Sequence, residues 1–267
     1  MKRLDVFMAE TGLAESREQA KRLVMAGAVL VGGRKAVKPS EEVQDGAPVE
    51  VLRESPYVSR GGFKLEKALR EFRITPEGKT AADIGASTGG FTDCMLQHGA
   101  VKVYAVDVGY GQLHAKLRGD PRVVVMERTN ARYLTPEAFG EPIGLATVDV
   151  AFISLKLILP PLIACVADGA DIAALVKPQF EAEARFVKKG VVRDAAVHER
   201  VLSDMLGWLQ GLPVSVRGLS YSPITGPKGN IEFLLYLKKE PGTSIEPDVH
   251  ALVAEAHAGV KGNPLGE

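Results

Sequence analysis

The chain has 267 residues, 46% hydrophobic and 25% charged, with two cysteines and 33 Lys and Arg against 33 Asp and Glu. This composition excludes disulfide-scaffold, collagen-like and disordered classes and leaves a globular protein of one large domain or two unequal ones. The formal charge of zero excludes a polybasic, non-specific nucleic-acid binder, yet it is an average: residues 240–267 hold five acids and one base, and the remaining 239 residues are mildly basic.

From the N-terminus, Met1-Lys2-Arg3-Leu4-Asp5 runs straight into a charged amphipathic stretch with no secretory core. Ser16 followed by Gln19 has the spacing of a capping box and opens a helix through Leu23, with Gly27 at its end. Two short strands follow, Ala28–Val31 and Val49–Leu52, separated by turn residues at Gly32-Gly33, Pro39 and Asp45-Gly46. Residues 1–55 therefore read as a small α+β domain, joined by a linker around Arg53–Val58 to a larger one over 56–240. From Ser59 a helix is predicted, carrying Phe63, Leu65, Ala68, Leu69 and Phe72 on its apolar face.

After Gly78, apolar strands alternate with helix-length segments: Ala81–Ile84, Val101–Val106, Val123–Val125, Leu145–Val150 and Ile172–Val176. That alternation predicts repeated βα units and a parallel sheet of Rossmann-like α/β class. A helix over about 195–209 and two further strands, Val214–Leu219 and Ile231–Leu237, close the domain, with one antiparallel strand expected near its end. The longest apolar run, Leu157 to Ala167, is about half a membrane span and is broken by Pro160-Pro161. Residues 241–267 read as an acidic, flexible tail. Cys94 and Cys165 share no metal or redox spacing, and no metal site is expected; free thiols and a missing export signal fit a cytoplasmic protein, and a monomer is expected.

The first strand of the larger domain ends in Asp83-Ile84-Gly85-Ala86-Ser87-Thr88-Gly89-Gly90-Phe91, and a helix follows. Glycines there let the backbone turn and approach a ligand, and a helix start offers free N–H groups. The second strand ends at Asp107, 22 residues beyond Gly85, near the spacing at which an acid meets a ribose diol. The loop lacks the Gly-Lys-Ser/Thr of a P-loop and is not GxGxxG, so neither ATP nor a dinucleotide is favoured. Asn130 follows the third strand and reads either as an adenine-side contact or as a turn cap.

The Asp83-to-Phe91 segment resembles that of S-adenosylmethionine-dependent methyltransferases. Arg3-Leu4-Asp5, Gly12-Leu13, Ser16-Arg17 and Ala26-Gly27-x-Val29 resemble the small RNA-binding domain named after ribosomal protein S-four. Ser59-Arg60-Gly61-Gly62-Phe63-Lys64-Leu65, the Gly85–Thr92 turn, Asp149-Val150-x-Phe152-Ile153-Ser154-Leu155, Val176-Lys177-Pro178-Gln179-Phe180-Glu181 and Ser222-Pro223-Ile224-x-Gly226-x-x-Gly229-Asn230-x-Glu232 resemble the TlyA (haemolysin-A-like) ribosomal RNA methyltransferases. Their catalytic domain is of the FtsJ ribose-methylating type.

The resemblance implies a ribosomal RNA ribose 2′-O-methyltransferase that uses S-adenosylmethionine, releases S-adenosylhomocysteine and acts on ribosomal RNA or ribosomal subunits. It implies a catalytic tetrad of Lys64, Asp149, Lys177 and Glu232, with Lys177 activating or steering the ribose hydroxyl and Asp149 positioning Lys177. Lys64 and Glu232 would orient the ribose and its phosphate. Asp83, Gly85, Ser87, Thr88, Gly89, Gly90, Phe91, Asp107 and Asn130 would hold the cofactor, and Arg3, Arg17, Lys21, Arg22, Lys35 and Arg60 would contact RNA. By residue type alone Lys64 reads equally as a solvated helix residue, Asp149 with Lys177 as a structural ion pair, and Glu232 as a partner of Lys228. Phe180 reads as a base-stacking or a core residue. Two other functions stay open at this point, a haemolysin-like membrane-active protein and a non-catalytic RNA-binding assembly factor. A modest basic surface predicts a shape-selective grip with few phosphate contacts and a shallow salt dependence.

Overall fold

The computed structural model describes residues 2–25, 28–44, 46–51, 56–240 and 242–260. The predicted helix end at Gly27, the turn residue Asp45, Leu52, most of the linker and residues 261–267 of the tail lie outside them. The chain divides into two compact units, Met1–Pro56 and Tyr57–Glu267.

In the first unit, β1 (Lys2–Arg3), α1 (Leu4–Glu10), α2 (Arg17–Met25), β2 (Val29–Val31), β3 (Arg34–Lys35), β4 (Glu42–Val43) and β5 (Val49–Val51) follow one another. Strands β1 and β4 pair antiparallel, and β3-β2-β5 form a second, antiparallel sheet. Leu4, Met8, Ala20, Val24, Val29 and Val43 make a small apolar core between the helices and strands. The box at α2 forms as its spacing predicts: the Ser16 hydroxyl accepts from the Gln19 N–H at 3.2 Å, and the Gln19 side chain accepts from the Glu15 N–H. Helix α1 was not separable from the charged N-terminal stretch; its buried face is only Leu4, Asp5 and Met8.

The second unit opens with α3 (Gly61–Phe72), β6 (Thr80–Ile84), α4 (Gly90–Gln97), β7 (Lys102–Val106), α5 (Ala115–Arg118), β8 (Val123–Met126) and β9 (Ile143–Val148). It continues with α6 (Leu155–Cys165), β10 (Val166–Val176), α7 (Pro178–Glu181), α8 (Ala195–Leu209), β11 (Ser215–Tyr221), β12 (Phe233–Lys238) and α9 (Val249–Val260). One seven-stranded sheet runs β11-β12-β10-β9-β6-β7-β8. Strands β10, β9, β6, β7 and β8 are parallel neighbours, and β12 lies antiparallel between β10 and β11. The central strands are apolar throughout because helices cover both sheet faces, which puts the ends of β6, β7, β9 and β10 on one carboxyl edge.

Two expectations are corrected here. The Pro160-Pro161 pair does not break the apolar run: α6 continues through both prolines. A proline costs a helix interior ~3 kcal/mol, and full burial of Ile158, Leu159, Leu162 and Ile163 against the sheet, at roughly 1.5–3 kcal/mol each, offsets it. The tail expected to be flexible is helical over α9, with Val253 and Ala256 fully buried. Val249, Leu252, Val253 and Ala256 share one helical face, and that periodicity outweighs the acidic composition around it. Just before α9, Ser244 and Ile245 bond the backbone of Val216 in the edge strand β11. No helix among the described residues is long and apolar enough to cross a membrane.

Candidate active site

The turn after β6 is built by backbone geometry. Gly85 and Ala86 both donate to the Val106 carbonyl. Gly85 has φ +85°, and a Cβ there would lie 2.5 Å from the Asp149 carbonyl oxygen, so no side chain fits. The turn passes through Ser87 and Thr88 into α4, with Gly89 as its N-cap in the left-handed region. At the end of β7, Asp107 accepts from the Ser87 N–H and the Gly109 N–H, 2.7 Å each, one on each oxygen. Both oxygens are thereby aimed while each keeps a lone pair for a ligand hydroxyl.

A cavity of about 310 Å³ opens beside this turn, lined by Gly85, Ser87, Asp107, Asn130, Asp149 and Phe152 and floored by Ile84, Val106, Val150 and Ile158. A polar wall facing an apolar slot suits a nucleoside, with hydroxyls on Asp107 and the base in the slot. Asn130 lines the cavity and also caps the following turn, its Oδ1 accepting from the Arg132 N–H at 3.1 Å, so both readings of that residue hold. An adjoining cavity of about 280 Å³ is lined by Thr88, Gly90 and Phe91 on one side and Lys64, Asp149 and Lys177 on the other.

Asp83 is placed differently from the expectation that it contacts the cofactor. It is fully buried beneath the turn, where its oxygens accept from the Thr92 hydroxyl at 2.6 Å and the Thr147 hydroxyl at 3.0 Å. It holds the turn on β9 and α4 and lines neither cavity. Burial pushes its carboxyl up to about 6.

Four charged side chains from four elements form a continuous array at the same edge. Lys177 at the end of β10 lies 2.5 Å from Asp149 Oδ1 just beyond β9. Asp149 Oδ2 is 3.8 Å from Lys64 Nζ on α3, and Lys64 is 2.6 Å from Glu232 Oε2 immediately before β12. The antiparallel course of β12 brings Glu232 to the carboxyl ends of the parallel strands. Lys64 is 8% and Glu232 1% exposed, so neither is a solvated surface residue, and Glu232 pairs with Lys64, not with Lys228. Burial works to strip the Lys64 proton, but Asp149 and Glu232 outweigh it, and the ammonium holds its proton more tightly than an ordinary lysine. Two cations and two anions give the array no net charge, which makes its burial tolerable.

Around the array, Glu181 turns back to α6, accepting from the Ser154 hydroxyl at 2.6 Å and the Leu155 N–H at 2.7 Å. Phe180 packs on Phe152, ring centroids 5.2 Å apart. Phe152 is 91% exposed, has φ +63° and lines the first cavity, so an aromatic face stands at the site mouth. Its helical neighbours gave no signal for this: the exposure follows from a left-handed backbone that residue type does not announce. Arg60 begins α3 and, with Lys64, Thr225, Gly226 and Lys228, lines an open groove of about 660 Å³.

In the first unit, the buried Asp5 carboxylate receives Arg3 through two hydrogen bonds of 3.0 Å and Arg17 through one of 3.3 Å. Arg3 holds the Asp5 carboxyl down, to about 2, and both guanidiniums stay half-exposed. Lys21 pairs with Glu18, and Arg22 and Lys35 are exposed. Cys94 and Cys165 are buried free thiols, and no group of His, Cys, Asp or Glu among the described residues has a metal-ligand arrangement.

Residues 57–239 match the family model of FtsJ-like methyltransferases, and residues 2–49 match that of the S4 domain. The chain is 53% identical over 271 residues to YqxC of Bacillus subtilis, a candidate rRNA methyltransferase, covering 97% of this chain and 95% of that one. It is 44% identical over 261 residues to the 16S/23S rRNA (cytidine-2'-O)-methyltransferase TlyA of Mycobacterium tuberculosis, covering 95% and 97%. Among solved structures, a candidate hemolysin of Streptococcus thermophilus is 48% identical, covers 97% of each chain and superposes with a TM-score of 0.78.

Proposed function

The chain belongs to the FtsJ-like methyltransferase family, and within it to the TlyA group; we propose that it methylates the ribose 2′-hydroxyl of ribosomal RNA. The observation that carries this reading is the buried Lys64–Asp149–Lys177–Glu232 array beside a cavity with a fixed carboxylate, Asp107. S-adenosylmethionine is the donor that this family implies, and when bound it supplies an electrophilic methyl group. Asp107 would hold its ribose diol, the backbone of the Gly85–Gly90 turn its methionine part, and Asn130 its adenine side. Asp149, which borders both cavities, sets a negative charge near the donor's sulfonium.

A ribose hydroxyl is weakly acidic, and its oxygen becomes a better nucleophile as its proton leaves. Lys177 Nζ, fixed by Asp149, places a positive charge where that oxygen gains negative charge. The Lys64–Glu232 pair is too buried and too tightly matched to exchange protons freely, and it serves instead to orient the ribose and its phosphate. Phe152 offers a stacking face for an unstacked base. In the first unit, Arg3 and Arg17 are preset on Asp5 to meet phosphates, and Lys21, Arg22, Lys35 and Arg60 add further cationic contacts to structured RNA or a ribosomal subunit. The membrane-active and binding-only alternatives draw no support from a site with a complete charged array.

Lys177→Ala tests the assignment. It should lower methyl transfer to unmodified rRNA at least 100-fold, within the range lost with a group that assists proton departure. Binding of S-adenosylmethionine by calorimetry should persist. Turnover near wild type in that variant contradicts the role given to Lys177.

A further inference from the structure

We propose that Asn230 is a positioning residue for methyl transfer, clamping the loop of residues 222–232 over the Lys64–Glu232 pair. The inference rests on the reading above, in which that pair orients the ribose. Asn230 is 3% exposed, and its whole side-chain amide is engaged. Its Nδ2 donates to the Gly190 and Pro227 carbonyls at 3.0 Å each, and its Oδ1 accepts from the Val192 N–H at 3.2 Å. Two acceptors on one side and a donor on the other fix which way the amide points.

The far end of the clamp is itself anchored. Val192 is buried, and its carbonyl lies 3.2 Å from Nε2 of the buried His198 on α8. The near end is a loop that holds its shape poorly unaided: Lys228 and Gly229 are consecutive residues in the left-handed region, at φ +59° and +79°. The Asn230 backbone carbonyl also accepts from the Gly226 N–H at 2.9 Å, closing the loop on itself.

What the loop covers is Glu232. A Cβ on Gly226 would lie 2.1 Å from Glu232 Oε1, so the Gly226 backbone rests directly on that oxygen. Oε1 is buried and accepts no hydrogen bond, while Oε2 binds Lys64 at 2.6 Å. An unsatisfied carboxylate oxygen draws water strongly, so this arrangement persists only while the loop is held shut. With the loop raised, Glu232 would be solvated, the pair would sit in a higher dielectric, and Lys64 would lose its fixed position. Asn230 suits this task because serine has one donor for two carbonyls and aspartate has none.

The test compares wild type with Asn230→Asp, which keeps the shape and the acceptor for Val192 but sets a carboxylate against two carbonyls. For methyl transfer to unmodified rRNA, kcat should fall more than tenfold with the RNA KM changed less than threefold. S-adenosylmethionine affinity should be unchanged, since Asn230 borders neither cavity of the cofactor turn. Amide exchange over residues 224–229 and acylation of the Lys64 amine, read by mass spectrometry, should both rise about tenfold, with the melting temperature near wild type. If Asn230→Asp does not fold, Asn230→Ser, which retains one donor, should give intermediate changes in the same measurements. A variant with turnover within twofold of wild type, or with unchanged exchange and Lys64 labelling, overturns the clamp. If the wild-type protein methylates no rRNA, that failure belongs to the functional reading, and the exchange and labelling measurements still decide the clamp.

Discussion

Asp83 lies under the glycine turn with both oxygens taken by threonine hydroxyls, in a site with no access to water. Desolvation raises its carboxyl to about 6, above the ordinary value of 3.8. The fold therefore favours the protonated form. Its contribution to stability is full below about pH 4 and is lost as pH rises through 6. The loss is on the order of 3 kcal/mol at most, from a displacement of about two pH units. Asp83→Asn keeps the shape without the charge, so urea unfolding at pH 5 and pH 8 should show a smaller fall for the variant than for wild type. Equal pH dependence in the two proteins would contradict this role. Asp83 and Asp107 were both legible as acids at strand ends, but their tasks were not. Spacing gives distance along the chain, whereas one carboxylate lies within the sheet core and the other just past a strand end, facing a cavity. Phe152 was less legible still, since only the local backbone path turns it outward.

Helix α9 shows how an element can be missed when composition is read before periodicity. Its apolar face seats on α8 and β11, and His198 lies in the seam, with Nδ1 3.0 Å from His257 Nε2 and its ring edge-on to Phe233. Burial, then His257, lowers His198 to about 4, with the Val192 carbonyl and Asp194 pulling the other way. Because the folded value lies below the unfolded one, stability from this site is present above pH 6.5 and is lost as pH falls toward 4. Exchange of the α9 amides, corrected for intrinsic rates, should therefore rise from pH 7 to pH 5 in wild type and change less in His198→Phe. Identical behaviour of the two proteins would remove His198 from that seam's acid response. The other elements were easier to read. Strands β6, β7, β9 and β10 announce themselves as apolar runs, and Glu232 falls beside the tetrad because β12 reverses direction, which the pair of closing strands already suggested. Helix α6 was harder, since two prolines obscure a stretch whose helicity depends on packing against a sheet absent from any local window.

At the scale of the molecule, zero net charge conceals opposite local signs: buried, paired charges at the catalytic edge and half-exposed arginines on Asp5 in the first unit. The tetrad was legible as four residues from a family resemblance, but its order of contact, Lys177 to Asp149 to Lys64 to Glu232, is a property of the assembled sheet edge. The central claim is that this edge methylates a ribose oxygen of ribosomal RNA. A 2′-O-methyl group removes the hydroxyl that alkali needs to cleave the adjoining phosphodiester, so such a nucleotide survives alkaline hydrolysis as part of a dinucleotide. The protein should be incubated with methyl-labelled S-adenosylmethionine and unmodified ribosomal subunits, and the RNA then hydrolysed in alkali and resolved by size. The label should appear in alkali-resistant dinucleotides; label confined to mononucleotides, or absent from every ribosomal RNA, would contradict ribose methylation by this site.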